Sequence, residues 1–288
     1  MNENLNQNLD SKIDEHLNTN TDNNSITDLT KKSTDENFIK SKSLIKNNTE
    51  DFQDNTAQPI VQFFDVRKNF DKKVALRNIN LKIPKGKIVG LLGPNGSGKT
   101  TMIKLINGLL QSDNGGVLIN GKTPSIETKK IISYLPDKNT LNNWMKVKDI
   151  LEFFNDFYED FDMKLAINML ADLNIDLNDR LKTLSKGTKE KVQLILVMSR
   201  KAQLYILDEP IGGVDPAARS YIIKTILQNY SNEGTLLIAT HLISEIENIC
   251  DEVIFISEGD ILLQGSTDKI REEYGMSIDA LFREEFKC

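Results

Sequence analysis

The sequence predicts an α/β fold organised around a phosphate-binding turn, and three observations carry that reading. Short apolar runs, Lys87-Ile-Val-Gly-Leu-Leu92, Leu204-Tyr-Ile-Leu207, Thr235-Leu-Leu-Ile-Ala239 and Val253-Ile-Phe-Ile256, have the character of buried strands. The first runs into Gly93-Pro94-Asn95-Gly96-Ser97-Gly98-Lys99-Thr100, and a helical pattern from Thr101 to Asn107 leaves it. From about 141 to 202 the periodicity turns helical, so helices interrupt the strand series.

In chain order, residues 1–56 come first. They are rich in Asn, Ser, Thr, Asp and Lys, with Phe38 and Phe52 their only aromatics. Such a segment buries too little apolar surface to offset chain entropy, and a disordered tail is expected. Leu5, Leu9, Ile13 and Leu17 recur every four residues, compatible with a transient helix or with a docking element. The tail is assigned no function. The folded domain is expected over 57–288, with order starting near Pro59 and a helical subdomain at about 138–202. Ile60–Val66 and Leu76–Ile83 read as strands, the second with alternating faces, and Pro84-Lys-Gly86 turns the chain toward the phosphate loop. Gly116–Asn120 with Gly121 is a further short strand and turn. Helical stretches follow, marked by Ile150, Leu151, Phe153, Phe154, Phe157 and Tyr158, then by Leu165 to Leu173 and Lys189 to Arg200.

Composition excludes several classes. The chain has 288 residues and is 39% hydrophobic, enough for a substantial core. Its formal charge of −6 is uneven: residues 1–56 hold 6 Lys against 11 Asp and Glu, a net of −5, leaving about −1 for the remainder. A near-neutral domain lacks the basic excess of a nucleic-acid binder. No apolar stretch approaches 18 residues, so no membrane span is expected, and the N-terminus lacks the basic-then-apolar layout of a secretory signal. Two cysteines, Cys250 and Cys288, suit a reducing compartment and form no metal cluster with histidine.

The glycine-rich turn carries the chemistry. Its pattern, G-x-x-x-x-G-K-[ST], lets backbone amides close around phosphate oxygens, sends Lys99 to the β/γ-phosphates and offers the Thr100 hydroxyl to Mg²⁺. The helix that follows adds unpaired first-turn N–H groups and a dipole that favours anions. The chain is therefore expected to bind a nucleoside triphosphate. Tyr205-Ile-Leu-Asp208-Glu209-Pro210 places two carboxylates at the C-terminal end of an apolar strand, the end at which open parallel sheets receive ligands. One would hold Mg²⁺ through a water; the next, pointing the other way along the strand, would polarise the attacking water.

With these residues in place, the sequence resembles the ATP-binding-cassette (ABC) ATPases. The resemblance rests on GPNGSGKT at 93–100, Tyr134-Leu-Pro136-Asp137, Leu184-Ser185-Lys186-Gly187-Thr188, Leu207-Asp208-Glu209-Pro210 and Thr240-His241, in the family's order, with Gly212-Gly213-Val214-Asp215 at its D-loop. It covers about residues 60–288 and is similar to single-cassette subunits of bacterial exporters, in the Ytr/Pmt-type branch. It implies a P-loop NTPase ABC ATPase core with an antiparallel β-subdomain and an inserted α-helical subdomain, ATP and Mg²⁺ as ligands, and ATP hydrolysis coupled to export through a separate membrane permease. It also implies a cytoplasmic protein peripheral to the cell membrane.

Residue by residue, the resemblance makes Glu209 the general base and His241 a contact to the γ-phosphate. Lys99 binds the phosphates, and Thr100, Asp208 and Asp137 are drawn to the metal. Gly93, Pro94, Asn95, Gly96, Ser97, Gly98 and Thr101 enclose the triphosphate. Phe70 sits where the family stacks an aromatic on adenine, core packing being the alternative. Ser185 and Gly187, with Asp215, would act on ATP across a dimer interface, in a homodimer or a heterodimer with a second cassette. Trp144 and Met145 lie near where the permease docks, core packing again being the alternative. Three positions depart from the family pattern: Asp137 replaces a glutamine, Lys186 and Thr188 alter the signature, and Gly212 and Gly213 replace small or polar side chains. A soluble cassette acting on nucleic acid or ribosomes is the competing function. Against it, Lys99 and Asp208 are 109 residues apart (208 minus 99) without sustained heptads between them.

Overall fold

Val61, Phe63 and Val66 are buried on β1 (Val61–Phe70), and Leu76, Ile79, Leu81 and Ile83 on β2 (Lys73–Ile83), with which it pairs antiparallel. The period-two burial is what a one-faced sheet requires. The computed structural model describes residues 58–286 except 72 and 232. The tail expected at 1–56, with its four-residue apolar spacing, and Cys288 lie outside the described residues.

After β2 the chain enters β3 (Ile88–Leu92), buried at every residue, then α1 (Lys99–Ile106) and β4 (Asn114–Ile119). β4 returns to the first sheet and gives it the order β2-β1-β4. Next come α2 (Ile126–Lys130), β5 (Ile132–Leu135) and the helices α3 (Val147–Phe157), α4 (Met163–Asp172) and α5 (Lys186–Met198). The chain then alternates through β6 (Leu204–Asp208), α6 (Pro216–Asn229), β7 (Thr235–Thr240), α7 (Ile243–Ile246) and β8 (Glu252–Ser257), and closes with β9 (Asp260–Ser266), α8 (Thr267–Tyr274) and α9 (Ile278–Phe286). The second sheet has the order β5-β6-β7-β3-β8-β9; its pairs are parallel except the β8–β9 hairpin. Strands β3, β6 and β7 carry no exposed residue, the pattern of a parallel sheet covered on both faces.

The antiparallel sheet and the parallel core are as the sequence implies, with two differences. β5 and β9 are absent from the sequence expectations, β5 because four residues give little periodicity. β1 and β2 also extend to Phe70 and Lys73, past the apolar residues that marked them, because their far ends pair as a hairpin through backbone bonds. Exposure settles two open alternatives: Phe70 is 45% exposed and Trp144 68% exposed, so neither is a core residue. Met145 is half-buried and packs against the core.

A buried cation helps to fasten the helices of the insertion to the parallel sheet, beside their shared apolar core and the Ser133 hydroxyl bond to the Val197 carbonyl. Arg200, 3% exposed, makes a two-pronged pair with Asp160, at 2.9 and 3.0 Å. Its remaining N–H groups donate to the carbonyls of Ile132 and Lys130, and its guanidinium lies 3.8 Å from the centroid of the Tyr158 ring. Planar fork geometry and weak hydration suit arginine to this position. Removing the carboxylate would strand a buried charge, so Asp160→Ala is expected to cost about 3 kcal/mol. Urea denaturation measures this as a lower midpoint at unchanged slope; a midpoint equal to wild type would show that the pair contributes nothing.

Candidate functional site

The strand order decides where the chemistry collects. β7 lies between β6 and β3, so the segments leaving the C-terminal ends of these three neighbours meet. They supply Asp208 and Glu209, then Thr240 and His241, then the phosphate loop. Gly98 has φ of 119°, and a Cβ there would stand 2.9 Å from the Ala75 carbonyl oxygen, so both conformation and space demand glycine.

Within the loop, Lys99 is 5% exposed and donates to the carbonyls of Gly93 (2.7 Å) and Pro94 (3.2 Å). Its ammonium lies 3.5 Å from Glu209 Oε1. Burial lowers the Lys99 pKa, and the Glu209 and Asp208 carboxylates work against that shift. The Thr100 hydroxyl donates to Asp208 Oδ1 at 3.4 Å, while Asp208 Oδ2 is buried with no hydrogen-bond partner. Burial pushes the Asp208 carboxyl up to about 6, reinforced by the Asp137 and Glu209 carboxylates and opposed by Thr100 and Lys99. Tyr134 is raised to about 12 by burial and by the Asp208 and Asp137 carboxylates, and stays a neutral hydroxyl.

Glu209 does not continue the strand with its side chain reversed, as the sequence suggested. It lies one residue past β6 in the left-handed region, with φ of 50°. Such a conformation is costly for a side chain longer than Asn and persists only when fixed by its surroundings. Here the fixing contacts are identifiable. Its backbone N–H donates to the Ala239 carbonyl at 2.8 Å, and its Oε2 accepts from Thr240 Oγ1 at 3.0 Å. His241 Nδ1 also lies 3.0 Å from Oε2. Gly212 makes room for this turn: a Cβ there would come 3.2 Å from Glu209 Cβ and from its carbonyl oxygen. The glycine that departs from the family pattern thus has a packing reason.

These groups border a cavity of about 890 Å³, within the range of small-molecule sites. Of the residues singled out in the sequence, Phe70, Asn95, Gly96, Gly98, Lys99, Thr100, Thr101, Asp137, Glu209 and His241 are brought together along its wall. Asp208 borders a smaller recess of about 40 Å³ together with Asp137 and Glu209. Gly93, Pro94 and Ser97 do not line the cavity; Ser97 is 3% exposed. Ser185, Gly187 and Asp215 do not line it either. Ser185 instead caps α5, accepting from the Thr188 N–H at 3.1 Å. Among the described residues, Lys186 has no positive φ, so replacing glycine there strains nothing.

Several lining residues were not singled out in the sequence. Lys73, Lys138, Lys189 and Glu190 face the cavity and Thr240 is buried beneath it; Lys186, noted in the sequence only as a change in the signature, faces the cavity too. Only Thr240 had a signal, its place beside His241. The lysines read as ordinary solvated residues.

The donors present fit a magnesium ion. A hydroxyl, a buried unpaired carboxylate oxygen and the nearby Asp137 carboxylate are hard oxygen donors, few enough to leave room for phosphate oxygens and water.

The chain matches the model of the family described as ABC transporter over residues 76–212. It is 30% identical over 220 residues to the ABC transporter ATP-binding protein YtrB of Bacillus subtilis (strain 168), covering 75% of each chain. It is 35% identical over 230 residues to an uncharacterized ABC transporter ATP-binding protein of the same organism, YdbJ, covering 75% of this chain and 73% of that one. Among solved structures, one described as the ATP binding subunit of an ABC transporter superposes with a TM-score of 0.72 at 25% identity, over 79% of this chain and 99% of that one.

The Asp208 carboxyl yields a prediction with a definite sign. Its pKa in the fold, about 6, lies above the unfolded value, so its ionisation opposes folding at neutral pH and not below about pH 4. Asp208→Asn should therefore stabilise the ligand-free protein at pH 7 by about 1–3 kcal/mol, and the gain should vanish at pH 4. Urea unfolding at the two pH values checks this; an equal gain at both would refute the electrostatic origin.

Proposed function

The chain belongs to the ABC transporter family, and from that premise we propose how its residues convert ATP hydrolysis into transport. It is the ATP-binding, ATP-hydrolysing subunit of a transporter, and the observation that carries the reading is the placement of Glu209. Its carboxylate stands at the cavity wall between the Lys99 ammonium on one side and Thr240 with His241 on the other.

In this reading the phosphate loop and Lys99 hold the β- and γ-phosphates. Lys99 exchanges its carbonyl partners for phosphate oxygens and moves a positive charge onto the phosphoryl group that is transferred. Glu209 accepts the proton of the attacking water. Thr240 and His241 hold the carboxylate so that the same oxygen is presented at each turnover. Thr100, Asp208 and Asp137 would hold Mg²⁺, which supplies charge neutralisation at the phosphates.

Ser185 and the N–H groups at the start of α5 would meet ATP held by a second cassette, identical or not, and Asp215 would lie at that interface. The resemblance supports this dimer, and the Ser185, Gly187 and Asp215 side of it lies outside the lining of the chain's own cavity. Transport in the export direction would pass through a separate permease, since no helix among the described residues is long and apolar enough to cross a membrane. The protein would then work at the cytoplasmic face of the membrane. The relatives described above are transporter proteins, and no observation favours the nucleic-acid alternative.

Glu209→Gln should retain ATP binding within a few-fold, accumulate a nucleotide-bound dimer and reduce steady-state hydrolysis by at least about 100-fold. Lys99→Ala should instead lose nucleotide affinity. Phosphate release, equilibrium binding and sedimentation with Mg²⁺ and ATP separate these outcomes; undiminished turnover in the Gln variant would remove Glu209 from the role of base.

For the permease contact, exposed Trp144 is the proposed anchor, as tryptophan is favoured at interfaces. Trp144→Ala should leave ATP affinity unchanged and reduce recovery of the protein with membranes containing its permease by about tenfold. Equal recovery of folded variant and wild type would exclude Trp144 from the interface.

A further inference from the structure

Phe70 is the last residue of β1, and only one of the two neighbouring strands, β2, reaches it. The register with β4 stops at Arg67–Asn114, so residues 68–70 project beyond the third strand as one side of a two-stranded ribbon paired to β2. A two-stranded ribbon is marginal by itself in water, and pairing shifts between Lys68 and Asn69. An aromatic at such a tip would sweep a broad arc, and its value as a stacking surface would fall accordingly.

One side chain from outside the ribbon supplies the missing support. Asp113 immediately precedes β4, and its own N–H donates to the Arg67 carbonyl at 2.8 Å. Its Oδ1 accepts from Lys68 Nζ at 2.7 Å, and its Oδ2 accepts from the Asn69 backbone N–H at 2.6 Å and from Asn69 Nδ2 at 3.1 Å. The carboxylate thus ties down the backbone of the residue directly before Phe70. Lys68 carries the restraint further: its ammonium, only 16% exposed as a side chain, lies 5.7 Å from the centroid of the Phe70 ring. These donors hold the Asp113 carboxyl below its ordinary range, in keeping with a charge used as an acceptor. Phe70 itself lines the nucleotide cavity.

We propose that Asp113 is a positioning residue for nucleotide binding, tethering the β1 tip so that Phe70 presents its ring to the base of the bound nucleotide. The inference rests on the nucleotide reading above and adds to it a residue that touches no part of the ligand. Stacking on an aromatic is tolerant of base identity, because every purine has a π-face, so the tether serves affinity and does not select ATP over GTP. Its effect is confined to the base end of the ligand, because the triphosphate is held separately by the loop at 93–100.

The test is a double-mutant cycle on the full chain, read as Kd for ATP and for inorganic tripolyphosphate, each with Mg²⁺. Asp113→Ala should weaken ATP binding about 3–10-fold, leave tripolyphosphate within twofold, and weaken GTP as much as ATP. Phe70→Ala should weaken ATP at least as much, and Asp113→Ala should have no further effect in the Phe70→Ala background, because it acts only through that ring. Asp113→Asn, which keeps the acceptor oxygen for the Asn69 N–H but loses the ion pair, should fall between wild type and Asp113→Ala.

Unchanged ATP affinity in folded Asp113→Ala overturns the tether. So does an equal loss for tripolyphosphate, or losses that multiply in the double variant. If wild type bound tripolyphosphate but Phe70→Ala left ATP affinity unchanged, stacking and tether would both fail. If wild type bound neither ligand, the nucleotide reading itself would fail.

Discussion

Burying an ammonium and two carboxylates together is the constraint on which the rest of this structure depends. Asp208 ends the buried strand β6, Glu209 follows it directly, and Lys99 opens α1 beyond the phosphate loop that leaves the buried strand β3. Each would be expensive to bury alone, and each limits the cost for the others. The arrangement is incomplete, however: Asp208 Oδ2 and Glu209 Oε1 have no hydrogen-bond partner, and the Asp208 carboxyl is displaced upward by its surroundings. Stability is given up here in the form of under-satisfied carboxylate oxygens, and those are the atoms a metal cation or a water donor would address. The sheet order makes the cluster possible. With β7 between β6 and β3, residues far apart in sequence become neighbours without any loop having to reach across the molecule.

Much of this was legible from the chain because the relevant signals are local. The phosphate loop is a contiguous run, and its strand and helix flank it directly. Asp208 and Glu209 end an apolar strand that is recognisable alone, and His241 follows another. What was not legible depends on contacts between distant segments. The left-handed conformation of Glu209 has no sequence marker, since glutamate is not a residue one expects there; it follows from Ala239, Thr240 and His241 closing around it. The role of Gly212 emerges only once that turn is known. β5 escaped detection because four residues cannot establish a period, and the cavity-facing lysines look like any other lysine in a charged chain. Phe70 and Trp144 each had a core alternative that composition could not remove, because aromatic residues are common both in cores and at interfaces; solvent exposure removed it.

The family resemblance and the residue chemistry led to the same cavity by independent routes. The resemblance alone could not say how a chain with lysine and glycine at altered positions accommodates them. The geometry answers for two: Lys186 occupies an ordinary helical start, and Gly212 gives clearance to Glu209. Asp137 is close enough to Asp208 to raise its pKa, so a charged group stands beside the Asp208 carboxylate where the family carries a neutral amide.

The Arg200 rivet has a mechanical corollary. The guanidinium grips the carbonyl of Ile132 at the first residue of β5, and Asp137 lies two residues past the last residue of that strand. One short, stiff rod therefore has the helical insertion pinned at its near end and the nucleotide cavity at its far end. That rod is paired along its whole length to β6, so pin and cavity are joined through the edge of the parallel sheet. In such a layout four residues of backbone, and no long relay of side chains, separate the helical insertion from the nucleotide cavity.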